Sequence, residues 1–377
     1  MLVETPKSKE GLGTPQDTKG TSGAKGISGA KGISGAKGTS GAKGTSGTES
    51  TNGVVSAPGP GGTERNAGIP LELDWIKEVR VNRSAVERRA ATLGTRRSVK
   101  KHWQAAWLLK AISCIDLTTL SGDDTPGRVR RLCAKARQPV RQDILEALGV
   151  GHLGIQTAAI CVYHTMVETA VRALEGSGIP VAAVSTGFPH GLSPFETRLA
   201  EIEASVAAGA EEIDIVITRG HVLQGDWEAL YEEVEAFREA CGEAHLKTIL
   251  AIGELGTLTN VQKASFVCMM AGADFIKTST GKEKVNANLP VGLVMDRAIR
   301  EYGQKTGYQV GFKPAGGISK AKEALVWLIL QKEEMGNGWL EPELFRFGAS
   351  SLLADIERQL EHHVTGRYSA GHRHPLG

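Results

Sequence analysis

Gly272-Ala273-Asp274-Phe275-Ile276-Lys277-Thr278-Ser279-Thr280-Gly281-Lys282 places a lysine at the end of a short apolar run and small polar residues directly after it. Val310-Gly311-Phe312-Lys313-Pro314-Ala315-Gly316-Gly317 repeats the design. An ammonium group where a buried strand opens into a loop is poorly solvated, and two such groups side by side disfavour each other's charge. One of the pair is then expected as a free amine near neutral pH, which is the nucleophile of Schiff-base chemistry.

Similar apolar runs recur on both sides. They are Ile112–Leu117, Gln156–Tyr163, Val181–Thr186, Glu212–Ile217, His245–Ala251, Asp274–Thr278, Tyr308–Lys313 and Leu344–Gly348, eight in all. Between them lie stretches with helical period, Thr165–Glu175, Glu196–Ala208, Trp227–Cys241, Thr259–Ala271, Val291–Lys305 and Lys320–Glu333. Gly176, Gly209, Gly242 and Gly272 supply stops. Strands that are apolar throughout and alternate with helices form a parallel sheet covered on its faces. Eight such units fit the roughly 250 residues of a closed barrel. An open doubly wound sheet fits less well, because no Gly-x-Gly-x-x-Gly turn follows the first run. The expected fold is α/β: a (β/α)8 TIM barrel, residues 69–368, with an N-terminal helical extension. Trp75, Ile76, Val79 and Val86, then Trp103, Ala106, Trp107 and Leu108, mark the apolar side of that extension.

In such a barrel the site forms at the C-terminal ends of the strands. Asp116 ends the first run, Asp214 and Lys247 lie within the fourth and fifth, and Lys277 and Lys313 end the sixth and seventh. Charged side chains are very rarely fully buried unless paired, so each needs a role or a partner. A buried Asp–Lys pair that only holds the barrel together is the structural alternative. Three lysines and two aspartates converging on one face weigh against it. Gly316-Gly317 after the seventh run and Gly348-Ala349-Ser350-Ser351 after the eighth let backbone N–H groups approach an anion, where barrels frequently hold a phosphate. Lys282 offers a further positive charge, or is simply solvated. Each loop read alone is an ordinary helix cap.

Residues 1–68 differ in kind, being Gly, Ser, Thr, Ala and Lys with almost no large apolar groups. Glycine recurs at every third position from Gly20 to Gly47, a collagen period, but that run contains no proline to stiffen a triple helix. A disordered, mildly basic tail is expected. A second short tail, residues 369–377, is expected to keep His372, Arg373 and His374 in solvent, and the same is expected of His362 and His363. A net charge of +2 with 23% charged residues creates no field that selects nucleic acid or a membrane. The five cysteines form no C-x-x-C pair and sit in apolar runs, as reduced thiols do. The ten histidines form no metal-binding spacing, and no nucleophile elbow or Walker loop occurs, so metal-free and cofactor-free chemistry is expected. No apolar stretch has membrane-spanning length and the N-terminus lacks a secretory pattern, which makes the cytoplasm the expected location.

With these residues in view, the chain from Leu71 to about Tyr368 resembles the deoxyribose-phosphate aldolase family. The match runs through Ile115-Asp116-Leu117-Thr118-Thr119-Leu120, Ala159-Ile160-Cys161-Val162-Tyr163, Gly187-Phe188-Pro189-His190-Gly191, Glu212-Ile213-Asp214-Ile215-Val216 and Gly253-Glu254-Leu255. It continues through the two lysine segments and Phe347-Gly348-Ala349-Ser350-Ser351, and Trp103-Gln104-Ala105-Ala106-Trp107 looks like the eukaryotic branch. The resemblance implies a class I aldolase that reversibly cleaves 2-deoxy-D-ribose 5-phosphate to acetaldehyde and glyceraldehyde 3-phosphate in deoxyribonucleotide catabolism. It implies Lys277 as the Schiff-base lysine, Lys313 as the neighbour that keeps it unprotonated and Asp214 as the proton relay. Asp116 and Lys247 would line the site, and Lys282, Gly316, Gly317, Ser350 and Ser351 would hold the substrate and its phosphate. His164 departs from the proline common in bacterial members, outside the catalytic set. A role for a terminal tyrosine such as Tyr368 stays open, as does assembly into a homo-oligomer. A barrel aldolase for another sugar phosphate and a non-enzymatic phosphate-binding scaffold are the competing readings. None of the chemistry uses a tail residue, so removal of residues 1–66 should leave kcat and KM unchanged; a large loss of activity would show that the tail contributes to the site.

Overall fold

The computed structural model describes residues 65–375. The low-complexity stretch up to residue 64 lies outside the described residues. Eight parallel strands run in the order β7-β6-β5-β4-β3-β2-β1-β8, where β1 is Ile115–Thr118, β2 Ala159–Tyr163, β3 Val181–Val184, β4 Glu212–Val216, β5 His245–Ile249, β6 Phe275–Lys277, β7 Gly311–Lys313 and β8 Phe347–Ala349. The backbone also joins β7 to β8, through Phe312 N–H to Leu344 O at 2.9 Å, Arg346 N–H to Phe312 O at 3.1 Å and Gly348 N–H to Pro314 O at 2.9 Å. The sheet therefore closes into the expected barrel, ringed by helices.

The helix boundaries follow local chemistry. Asn288 accepts a hydrogen bond from Val291 N–H, a proline follows in the first turn, and left-handed Gly307 ends the helix Leu289–Thr306. Thr257 and Asp226 cap Leu258–Met270 and Trp227–Cys241 in the same way. Ile112, expected in the first strand, instead closes the helix His102–Ser113. The buried positions Ala105, Leu108, Leu109 and Ile112 keep helical period up to that point. Two helices that the periodicity did not single out, Pro126–Arg137 and Gln142–Ala147, fill the crossover from β1 to β2. Thr125 and Pro126 were the signal for the first of them.

Period-2 alternation sorts the strands into two environments. Ile115, Leu117, Ile213, Ile215, Leu246, Ile276, Phe312 and Phe347 belong to the main core cluster that the helices cover. The alternate positions point into the lumen, and there the strands carry charge. Two lumen glycines are required by space. A Cβ on Gly311 would lie 2.3 Å from the Phe275 ring, and one on Gly348 would lie 2.7 Å from Ala315 Cβ and 3.3 Å from Lys313 Cε.

Both expected tail boundaries move. Arg65 and Asn66 are docked on the barrel: the Asn66 side chain donates to Met269 O at 2.7 Å and Ala273 O at 2.9 Å, and Arg65 reaches Ala244 O at 2.6 Å and Asp274. Asp274 is also paired with Arg238, at 2.9 Å. A truncation that spares the barrel starts at Arg65, not after residue 66. At the other end His374, expected in solvent, is 2% exposed. Its Nε2 lies 2.7 Å from Glu361 Oε2 and 2.8 Å from Ser369 Oγ, and its Nδ1 lies 3.4 Å from Glu357. Glu357 and Glu361 stand one turn apart on the helix Leu352–Thr365 and present both carboxylates on one face.

Asp296 and Gln331 meet between two outer helices, fully buried, with Gln331 Nε2 donating to Asp296 Oδ1 at 2.7 Å. Asp296 Oδ2 and Gln331 Oε1 have no partner among the described residues. A proton on the carboxyl supplies the missing donor. Burial pushes the Asp296 pKa up to about 8 from 3.8. The unfolded chain releases that proton near the ordinary value and the folded chain keeps it, so stability falls as pH rises from about 4 to about 8. Asp296→Asn keeps a donor without the titration. Denaturation midpoints should show stabilisation at pH ~8, on the order of a few kcal/mol, that shrinks towards pH ~4; equal effects at both ends would show that the carboxyl ionises in the folded state.

Candidate active site

The lumen side chains form one connected charge network. Pairing in register sets Asp214 beside Lys247 and Lys277 beside Lys313. Asp214 Oδ2 accepts from Lys277 Nζ and from Lys313 Nζ, both at 2.7 Å, while its Oδ1 accepts from Lys247 Nζ at 3.2 Å. Lys313 Nζ also lies 2.5 Å from Asp116 Oδ2. Asp116 Oδ1 accepts from Arg346 at 2.6 Å, Arg346 reaches Glu212 Oε1 at 3.1 Å, and Glu212 Oε2 pairs tightly with Lys247. Arg346, Asp116, Lys313, Asp214, Lys247 and Glu212 thus close a ring of alternating charge, and Lys277 hangs from it at Asp214. Below the ring the Phe275 face lies 5.8 Å from the Arg346 guanidinium and 6.0 Å from Lys247 Nζ.

Every ring member is buried. Burial alone would neutralise these groups, and their neighbours reverse that tendency. For Asp116, burial is outweighed by Lys313, Arg346 and Lys247, which hold the carboxyl well below the usual carboxylate range. For Asp214 it is outweighed by Lys247, Lys277 and Lys313. Glu212 is lowered against burial by Arg346 and Lys247. Burial disfavours the Lys313 ammonium, but Asp116 and Asp214 raise its pKa well above the ordinary lysine value. Arg346 is likewise raised, by Glu212 and Asp116, against its burial.

Lys277 alone of the three lysines reaches a cavity, of about 340 Å³, at the C-terminal mouth of the barrel. Lys282, Gly316, Gly317, Ser350 and Ser351 share its wall. Asp116 and Lys247 do not line it; they lie beneath, inside the ring. Gly316 and Gly317 are both left-handed, with φ of 83° and 81°, and a Cβ on Gly316 would lie 2.5 Å from Asn286 Oδ1. The helix expected near Ser319 begins at Ala321. The N–H groups of Ser319 and Lys320 donate to Glu323 and that of Ala321 to Asp355, so this helix start is already occupied by carboxylates. Ser351, at the start of Leu352–Thr365, makes no side-chain cap. Lys282 Nζ donates to Leu120 O at 3.2 Å and ties the β6 loop to the β1 loop. Tyr368 does not line the cavity; its ring stacks on His362 with centroids 4.7 Å apart.

Two network members escaped the sequence reading. Glu212 stands two residues before Asp214, so period 2 places it on the same lumen side. Arg346 lies between Phe345 and Phe347 and reads as part of an apolar run until the lumen side is known. Among the described residues no group of three or more His, Cys, Asp or Glu side chains is arranged to hold a metal, and no helix is long and apolar enough to cross a membrane.

Comparison with known proteins agrees with the barrel fold. A solved structure from Toxoplasma gondii ME49 shares the fold with a TM-score of 0.60 at 21% identity, over 70% of this chain and 97% of that one. The tetrameric deoxyribose phosphate aldolase from Aeropyrum pernix gives 0.52 at 22%, over 76% and 100%. The deoxyribose-phosphate aldolases of Bos taurus and Mus musculus are 63% and 64% identical to the chain over 311 residues, which is 82% of this chain and 98% of each relative. Residues 110–357, the barrel with its lysine pair, match the model of the DeoC/LacD family aldolases, and the chain belongs to that family.

Proposed function

We propose that the chain cleaves 2-deoxy-D-ribose 5-phosphate reversibly to acetaldehyde and D-glyceraldehyde 3-phosphate through a Schiff base on Lys277. One observation carries the reading: Lys277 faces the cavity while sharing a single carboxylate oxygen of Asp214 with Lys313. The Lys277 amine adds to the C1 carbonyl of the open-chain sugar, and loss of water gives the protonated imine. Removal of the C3 hydroxyl proton then lets the C2–C3 bond break. Its electron pair flows into the iminium and leaves a neutral enamine, and glyceraldehyde 3-phosphate departs. Protonation of the enamine at C2 and hydrolysis release acetaldehyde and restore the amine.

Asp214 is placed to pass protons, because its Oδ2 accepts from both lysines. Lys313 stays charged, held by Asp116 and Asp214, and keeps positive potential beside the imine nitrogen. Asp116 and Lys247 act from beneath, through Lys313 and Asp214, and not as contacts to the sugar. Gly316, Gly317, Ser350, Ser351 and Lys282 would hold the phosphate, with the backbone at Gly317 and Ser351 offering N–H groups and Lys282 the charge. Anchoring the phosphate away from the reacting carbons orients the chain for attack. The partner is this small sugar phosphate, and the buried, unpaired cysteines support a reducing compartment such as the cytoplasm.

In an assay coupled to glyceraldehyde 3-phosphate, Lys277→Ala should lower kcat by about three orders of magnitude or more. Lys313→Leu should retain measurable activity only at raised pH, since removal of its charge leaves Asp214 to be balanced by Lys277. Near-native turnover of Lys277→Ala would refute the assignment.

A further inference from the structure

The buried ring contains a second tier that does not line the cavity. Arg346 and Glu212 stand two residues before Gly348 of β8 and Asp214 of β4, 6% and 1% exposed, and each bridges two ring members. Two paths of alternating charge lead from Arg346 to the cavity lysine. One runs through Asp116, Lys313 and Asp214, and the other through Glu212, Lys247 and Asp214. The ring holds three carboxylates against two lysines and one arginine, so it is neutral without Lys277. Beside it the lumen is apolar: Cys161, Ala182, Val184, Phe188, Val216 and Ile249 form a separate buried cluster. In such surroundings an unbalanced charge is costly, and a proton on Lys277, the seventh group, would give the set a net positive charge.

We propose that Arg346 and Glu212 are positioning residues that set the charge of Lys277 from below, Arg346 as the third permanent cation that makes a proton on Lys277 surplus, and Glu212 as the anion that limits that surplus. This rests on Lys277 being the reacting amine. Arginine suits the role because its guanidinium cannot yield its proton in place of Lys277 and its fork binds two carboxylates at once. The groups facing Lys277 are accounted for strand by strand. Asp116 comes from β1, Asp214 and Glu212 from β4, Lys247 from β5 and Lys313 from β7. β3 carries no ionisable side chain, and on β2 the Cys161 thiol, raised by burial and by Asp214, and the Tyr163 hydroxyl, raised by burial, are neutral. Lys282 is tied to Leu120 O in the exposed loop.

The two residues predict opposite shifts, which a merely structural role would not produce. Competitive acylation of the full-length protein with acetic anhydride, read at the Lys277 peptide by mass spectrometry across pH, reports the free amine without substrate. Arg346→Gln should move the half-maximal labelling of Lys277 up by about one pH unit or more, an approximately tenfold loss of reactive amine at neutral pH. Glu212→Gln should move it down, and Arg346→Lys should restore most of the wild-type profile. If Arg346→Gln does not fold, Glu212→Gln decides alone. A profile unmoved or moved upward in Glu212→Gln overturns the proposal. Cleavage of the sugar phosphate by wild type is scored separately, so failure of the aldolase assignment is distinguishable from failure of this one.

Discussion

The two hydrogen bonds that converge on one oxygen of Asp214 are the constraint around which the site is organised. That oxygen holds Lys277 at the cavity floor and Lys313 beside it, each at 2.7 Å. A buried carboxylate between two amines is tenable only if the remaining charges are closed off, because removing any one partner leaves an uncompensated charge in apolar surroundings. The ring from Arg346 through Asp116, Lys313, Asp214, Lys247 and Glu212 does this. Its geometry depends in turn on the barrel: parallel register pairs Asp214 with Lys247 and Lys277 with Lys313, and closure of β7 on β8 brings Arg346 round to Asp116.

The same arrangement explains why small residues stand where bulk would be expected. Gly311 leaves space for the Phe275 ring beneath the charges, and Gly348 leaves space for the Lys313 side chain at the β7–β8 seam. Fold and site are thus coupled through steric room as well as through charge. Of the three lumen lysines only Lys277 opens to the cavity, and the other two are sealed beneath it.

Much of this was legible from the chain. Eight apolar runs at helical intervals implied the barrel, and a lysine or aspartate inside such a run needed a role or a partner: Asp214, Lys247, Lys277 and Lys313 find theirs in the lumen, Asp274 in Arg65 and Arg238. The strand ends were less legible. Ile112 reads equally well as strand or helix by hydropathy, and only its spacing from Leu108 and Leu109 assigns it to the helix. Arg346 was hidden because alternation is invisible between two phenylalanines until the lumen side is fixed. Asn66 and His374 looked like tail residues because their segments are polar, yet Asn66 is tethered to Met269, far away in sequence, and His374 folds back on Glu361 of the preceding helix. Which polar segment finds such partners is a tertiary fact that local composition does not encode.

Reduction with borohydride during incubation with 2-deoxy-D-ribose 5-phosphate, followed by peptide mapping, tests the central claim most directly. The account predicts a covalent adduct with the mass of the reduced two-carbon or sugar-phosphate imine on Lys277 and on no other lysine. An adduct on Lys313 or Lys247, or none on any lysine of a protein that turns over, would contradict it.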